Sequence, residues 1–316
     1  MAVAIEAGDV VIGRIAIVAA LLSTLFAPSA RAAHYALIVG GLGGEAEYEQ
    51  RFREQVQALT AVEKHRSEDA HVTALSGEQA TRETTKRALA SIAAHATAVD
   101  QLVVTFIGHG SFDGEEYRFN VPGPDITATD LATWLQPIAA RPQLIVLATS
   151  ASGGALSRLQ HKDRIVITAT KSGGERNATR FAEYWIKALT LSEADRDKNE
   201  WVTAQEAFDY ATRKVADSFK SNAALATEHA RIEGATTEQF ALGRLGEAKT
   251  MPTDGELNRL FAERLRIETE FDAVKARKSE LQVDRYYQAL EKPLIELARA
   301  QKRIDLRQAE LAGAER

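Results

Sequence analysis

Four short runs constrain this chain more than anything else in it: Tyr35–Gly40 (YALIVG), Leu102–Ile107 (LVVTFI), Leu144–Ala148 (LIVLA) and Ile165–Ala169 (IVITA). Each is almost wholly apolar and rich in β-branched residues. A strand with one wet face alternates apolar and polar residues; these runs do not, so both faces must be covered. His71–Leu75 reads as a further strand. Between the strands lie amphipathic stretches that predict helices over Ala46–Val62, Thr81–Ala94, Thr127–Leu135 and Ala178–Ala188. This order predicts an α/β fold, a mainly parallel sheet flanked by helices. Asp113-Gly114, between Gly110 and the alternating YRFNV, marks a small hairpin.

Composition removes several classes. With 316 residues, 45% hydrophobic and 26% charged, the chain is neither disordered, collagenous nor a multi-span membrane protein. A net charge of −5 argues against a general nucleic-acid binder, so no nucleic-acid partner is expected. The absence of cysteine excludes disulfides, thiolate metal sites and any cysteine nucleophile.

Ile15–Phe26 is an apolar run too short for the roughly 20 residues of a membrane span. Arg14 precedes it, and Ala30 and Ala32 follow in an A-x-A arrangement. Residues 1–32 therefore read as a signal peptide cut after Ala32, and the protein as exported, periplasmic or secreted. A chain without cysteine suits an oxidising compartment. Glu6 and Asp9 are unusual in such a leader. An uncleaved anchor, the one expected route to membrane contact, and a buried helix remain as alternatives. Residues 33–250 form the α/β domain. Residues 251–316 open with a breaker, MPTDG, and continue charged and helical. Ile267, Phe271, Val274 and Leu281, then Leu290, Leu294, Leu297 and Ile304, form apolar stripes. They predict an antiparallel helical hairpin or coiled-coil extension. A single helix kinked near Pro293 is the alternative. Such an extension serves as an arm for a protein partner or as a lid on the sheet.

Two strand ends carry the chemistry. The third apolar strand leads into Gly108-His109-Gly110-Ser111, and the fourth into Ser150-Ala151-Ser152-Gly153-Gly154. Ligands of parallel α/β sheets bind at the carboxyl ends of strands. Adjacent strands would turn His109 and Ser150 towards one crevice. The N–H groups of Gly110 and of Ser150, at a helix mouth, would supply an oxyanion hole. The loop Lys171–Asn177 after the fifth strand overhangs the same crevice. Glu175 and Arg176 there are candidate substrate contacts.

This arrangement resembles the caspase-like fold and, within it, the legumain (C13) cysteine peptidases, over about Tyr35–Tyr210. The resemblance implies a peptide or protein ligand. It makes His109 the counterpart of the family's catalytic histidine and Ser150 that of its nucleophilic cysteine, with Ser152 and Gly153 matching its Ser-Gly. The sulfur is absent. The acidic residue two places before the nucleophile is Ala148 here, and the family's Asn after the first strand is Leu42, so asparaginyl specificity does not carry over. A serine hydroxyl needs a base bonded to it, whereas a cysteine supplies thiolate near neutral pH. The expectation is a homologue without cysteine-peptidase activity, acting as a binding or scaffold module. A serine-variant peptidase or esterase using His109 and Ser150 is the alternative.

Residues 195–206 fit a 12-residue EF-hand calcium loop. Asp195, Asp197 and Asn199 supply side-chain oxygens, Trp201 a carbonyl, Thr203 the ninth position and Glu206 the bidentate carboxylate. Glu200 stands where glycine is wanted. Calcium binding, and with it a calcium-responsive adaptor, is one reading; a polar turn between helices is the other. Gly41-Leu42-Gly43-Gly44 imitates a dinucleotide fingerprint, but no acidic residue closes the second strand, so no organic cofactor is expected. The other histidines show no metal-ligand spacing.

Overall fold

The computed structural model describes residues 32–67, 69–244, 254–278 and 281–314. The expected leader, apart from Ala32, and the MPT of the breaker lie outside them. A six-stranded sheet runs in the order β10-β8-β7-β3-β1-β2. Its strands are β1 (His34–Gly40), β2 (Ala70–Leu75), β3 (Gln101–Gly108), β7 (Gln143–Thr149), β8 (Arg164–Thr168) and β10 (Arg231–Glu233). All pairings are parallel except that of β10 with β8. The chain places β2 on one side of β1 and β3 on the other. The order thus reverses at the β1–β3 boundary, and in parallel α/β sheets ligands bind at the carboxyl ends beside such a reversal.

The unbroken apolar runs are buried as expected. Ile38, Val103, Ile107, Val146 and Ile167 face one layer, with Phe52, Val56 and Leu59 of α1 (Ala46–Lys64) and Phe181 and Trp185 of α5 (Phe181–Ala188). Tyr210, Val215 and Phe219 of α6 (Ala204–Ser221) complete it. Leu37, Val39, Val104, Phe106 and Leu147 face the other layer, with Leu89 and Ile92 of α2 (Arg82–His95) and Leu131 and Leu135 of α3 (Ala128–Leu135). Neighbouring residues of one strand thus enter different cores, which is why hardly a polar residue interrupts them.

Thr81 and Thr127 begin α2 and α3 with capping boxes. The expected hairpin is β4 (Gly110–Phe112) with β5 (Tyr117–Phe119), extended by β6 (Ile126–Thr127). The sequence pattern missed β10 and the pair β9 (Trp201–Thr203) and β11 (Ala241–Arg244). Segments of three or four residues carry too few alternations to register; they form because a neighbouring strand edge recruits them.

The C-terminal helices α7 (Gly255–Ala276) and α8 (Val283–Ala314) pack antiparallel. Leu257, Leu260, Phe261 and Ile304 form their core, and Arg303–Glu263 and Arg307–Asp254 ion pairs bridge them. The chain turns after Ala276, and Pro293 lies inside α8, so the single kinked helix does not form. Of the expected stripes, Ile267 and Ile304 are buried, whereas Leu294 is 48% exposed. No helix among the described residues is long and apolar enough to cross a membrane.

One cap comes from far along the chain. The carboxylate of Glu228 accepts hydrogen bonds from the backbone N–H groups of Arg180 (2.8 Å) and Phe181 (2.9 Å) at the start of α5. Burial is the largest influence on this acid and pushes it up to about 7, against the pull of those N–H groups and the Arg180 charge. The folded chain therefore keeps this proton over a range in which the unfolded chain has released it. The resulting stabilisation is complete below the unfolded value and is lost as pH rises through about 7. Glu228→Gln cannot ionise, so it should flatten the fall in melting temperature between roughly pH 4.5 and 7. Asp197, also raised, leaves a residual slope in both proteins. Thermal melts across this range that keep the wild-type slope in the variant would refute the assignment.

Candidate functional site

The β3–β7 ladder pairs Gly108 with Thr149, so His109 and Ser150 leave adjacent strands at the same level. The structure brings the two residues to the same end of the sheet but does not join them. Among the described residues no hydrogen bond connects His109 with Ser150. The His109 ring packs edge-on against Tyr48 and Phe52 of α1, at centroid distances of 4.9 and 5.1 Å. Burial first, and then the charge of Arg51, lower the pKa of His109, while the Gly43 backbone and Glu45 pull it up.

Ser150 is 2% exposed. Its Oγ accepts a hydrogen bond from the Gly110 N–H at 3.1 Å, and its O–H has the Gly110 carbonyl as partner at 3.2 Å. The N–H expected to face a substrate oxygen is thus used by the side chain it was to assist. Only glycine permits this approach: a Cβ on Gly110 would lie 2.7 Å from the Ser150 carbonyl oxygen and 2.6 Å from the Tyr117 ring. Beyond Ser150 the chain turns through Ala151 in the left-handed region (φ 55°) into one 3-10 turn, Ser152–Ala155, and the four-residue helix α4 (Leu156–Leu159). The expected helix mouth is therefore a short 3-10 turn with little dipole to offer.

Ser152 and Gly153 are held by the loop after β8. Thr170 N–H donates to Ser152 Oγ at 3.2 Å, and Gly153 N–H donates to Thr170 Oγ1 at 2.9 Å. The backbone carbonyl of Glu175 accepts the Ala151 N–H at 2.7 Å. The Glu175 carboxylate is engaged as well. It accepts the N–H groups of Lys171 (2.9 Å) and His229 (3.2 Å) and pairs with the His229 ring at 2.5 Å. Glu175 therefore ties the overhanging loop to the segment before β10, whereas Arg176 is exposed at the loop's tip. Ala148 is buried and Leu42 is partly exposed.

Sequence reasoning missed Arg51. Its guanidinium lies over the Tyr48 ring at 4.7 Å and the Phe52 ring at 5.5 Å, and its Nε and Nη2 are buried without a hydrogen-bond partner. Those two nitrogens are the edge that grips a carboxylate in bidentate fashion. On α1 the residue reads as one more surface charge. The signal was its place beside two aromatics one helical turn or less apart.

In the EF-hand-like loop, Asp195, Asp197 and Glu206 converge, with one carboxylate oxygen of each within 4.8 Å of the others. Asp197 is pushed up to about 7, mainly by burial and then by the Glu206 charge, and Glu206 is raised chiefly by burial. The remaining candidates are engaged otherwise. Asn199 Oδ1 accepts the Trp201 N–H at 2.7 Å, and its Nδ2 donates to Asp197 at 2.8 Å. Thr203 caps α6 in a capping box with Glu206. Trp201 lies in β9, paired with Arg244 of β11. Glu200, in the glycine position, adopts φ 68°. Arg264 of α7 donates to the Asp197 carbonyl at 2.6 Å, which ties the C-terminal hairpin to this loop.

The glycines after β1 make no phosphate cradle. Gly43 N–H donates to the Glu49 carboxylate at 2.7 Å, and a Cβ on Gly43 would meet the Glu49 backbone at 2.3 Å. The loop is filled by its own helix.

No curated protein sequence matches the chain. Among solved structures, a Geobacter sulfurreducens protein aligns with a TM-score of 0.47 and 12% identity, over 68% of this chain and 100% of that one. Caspase-1 from Spodoptera frugiperda aligns with a TM-score of 0.45 and 16% identity, over 69% of this chain and 93% of that one. The model of the Peptidase C13 family matches residues 61–240, more than half of the 316-residue chain, and that span holds β3, β7 and both strand-end motifs. The chain belongs to the peptidase C13 family.

Proposed function

We propose that this protein is an exported C13 homologue without peptidase activity, whose crevice binds a peptide or protein ligand. One observation carries the reading: the hydroxyl in the nucleophile position is buried and paired with the Gly110 backbone, while the His109 ring rests on α1. A serine nucleophile needs a base hydrogen-bonded to it. Here the hydroxyl proton is directed at the Gly110 carbonyl, and that bond would have to be given up before His109 could take the proton. The Arg51 guanidinium beside His109 has an unpartnered, covered Nε–Nη2 edge that would suit a ligand carboxylate once a ligand displaces what covers it. Arg176 at the loop tip is a second cation for the same ligand.

Two chemical probes test this. Native protein should resist a fluorophosphonate, with less than about one per cent labelled when a serine hydrolase control is complete. Labelling of Ser150 that disappears in Ser150→Ala would establish the serine-hydrolase alternative instead. In Ser150→Cys the thiol should alkylate several-fold more slowly than a free cysteine at pH 7, because burial opposes thiolate formation and only one short 3-10 turn follows. Fast alkylation with a depressed thiol pKa would indicate a site that needs only its sulfur.

A second reading adds calcium, favoured by the convergence of Asp195, Asp197 and Glu206. These three would hold a hard cation through oxygen, and the Trp201 carbonyl would complete the set. A ligand bound only by the folded chain stabilises it by RT ln(1 + [L]/Kd). About 10 mM calcium should therefore raise the melting temperature by several degrees, since it exceeds typical sensor constants. Glu206→Gln should lose that shift. Wild-type protein that melts identically with calcium and with chelator would leave the loop as a turn held by its own hydrogen bonds.

A further inference from the structure

The amino end of the sheet, remote from the crevice, carries a buried acid with no evident purpose in a ligand site. Asp100 precedes β3 and is 5% exposed. One of its carboxylate oxygens accepts the Thr97 N–H (2.7 Å) and hydroxyl (2.9 Å). The other accepts the backbone N–H of Ala33 at 2.8 Å. Among the described residues no lysine, arginine or histidine forms an ion pair with it. The charged and titratable groups facing this corner are His71, whose charge favours the ionised acid, and Tyr35, whose pKa burial, Asp100 and Asp69 raise. Ala33 is itself fixed, because its carbonyl accepts the Gln101 N–H at 3.0 Å and the next residue, His34, donates to the Asp69 carbonyl at 3.1 Å.

The nitrogen that meets Asp100 is the one that leader removal would free. Ala32 is exposed, Ala33 is half-buried, and the compact body of the chain starts at Ala33. We propose that the Ala32–Ala33 bond is a processing site and that its product, the α-ammonium group of Ala33, forms an ion pair with Asp100 that locks β1 into the mature sheet. Hydrolysis by a signal-peptidase-class enzyme adds one water. The Ala32 carbonyl carbon leaves as a carboxylate and the Ala33 nitrogen takes up protons as an ammonium. An N–H···carboxylate hydrogen bond thereby becomes a charge-assisted one at the same place, and the buried acid gains its counter-charge. The proposal rests on the export reading, but it concerns the end of β1 opposite the crevice and is independent of what Ser150 does.

The test compares four full-length mature chains, starting at Ala33 or at Ala32, each with Asp100 or with Asp100→Asn. At pH 6.5 and low salt the Ala33 chain should melt roughly 2–4 °C above the Ala32 chain, the scale of one partly buried ion pair in a protein of this size. Asp100→Asn should abolish the difference. An α-ammonium raised by its partner contributes fully below its free pKa of about 7.7–8.0, so the difference should persist at pH 7 and fade as pH rises through the folded value. Equal melting of the two Asp100 chains, or a difference that survives in Asp100→Asn, overturns the ion pair. If Asp100→Asn does not fold, the pH dependence of the two Asp100 chains still decides. N-terminal mass analysis of exported protein should find Ala33 first; any other start overturns the processing step, while failure of the crevice reading would appear only in the Ser150 probes.

Discussion

The parallel pairing of β3 with β7 is the constraint on which the site depends. Both strands lie between two helical layers, so neither can slip in register without turning core residues to the wrong face. That fixes Gly108 opposite Thr149, and with them the levels at which His109 and Ser150 leave the sheet. Gly108, at φ 154°, turns the chain there without a side chain to obstruct the adjoining loop after β1. The hairpin that follows returns the Gly110 backbone onto Ser150. The contact between Gly110 and Ser150 is thus a consequence of sheet register and two glycines, and it holds whether or not the crevice is used.

A hydroxyl and a thiol at position 150 would use this contact differently. A hydroxyl donates and accepts well, so it satisfies the Gly110 N–H and carbonyl together; a thiol is a weak partner for both. Each neutral hydrogen bond is worth only about 1 kcal/mol net, but leaving a buried donor or acceptor unpaired costs about 1–3 kcal/mol. Drawing Ser150 towards His109 would leave two Gly110 backbone groups unpaired at once. A cysteine pairs only weakly with those groups, so it would have less hydrogen bonding to lose on moving. The arrangement that restrains a thiol little therefore restrains a serine more. Its neighbour Ser152 is committed in the same way, to Thr170.

Most of the sheet was legible because burial on both faces leaves a mark on every residue of a strand. The runs at β1, β3, β7 and β8 contain hardly a polar side chain, and the observed strands differ from them by a residue or two at the ends. Helix starts were legible where a capping residue was present, as at Thr81 and Thr127. Strands β9, β10 and β11 were not, since their pairing depends on partners far along the chain. At the site, the position of His109 and Ser150 on neighbouring strand ends followed from strand order. The direction of their side chains did not, because it depends on Gly110 and on the aromatic pair Tyr48 and Phe52, which only the folded chain assembles. Arg51 was hidden for the same reason. The Glu175 carboxylate looked free in sequence because its partner His229 lies 54 residues away.

Four acids of this protein, three of them buried, share one use. Glu228 holds the first N–H groups of α5, Glu175 those of Lys171 and His229, Glu206 those of Thr203 and Arg196, and Asp100 those of Thr97 and Ala33. Each fastens a loop or a chain end to the body of the fold. Two of them, Glu175 and Glu228, secure the segments that border the crevice on the β8 side. An enzyme whose loops close over substrate draws those loops from the least stable parts of its structure. Here the loop after β8 is fixed through its backbone at Ala151, through the Glu175 carboxylate and through Thr170, so it has little freedom to close. A rigid crevice loses little entropy when a ligand enters, which favours binding, and it gives up the motion that turnover commonly needs. The way the loops are fastened and the pairing of Ser150 with Gly110 are separate features of the chain, and both are what the proposed binding role would use.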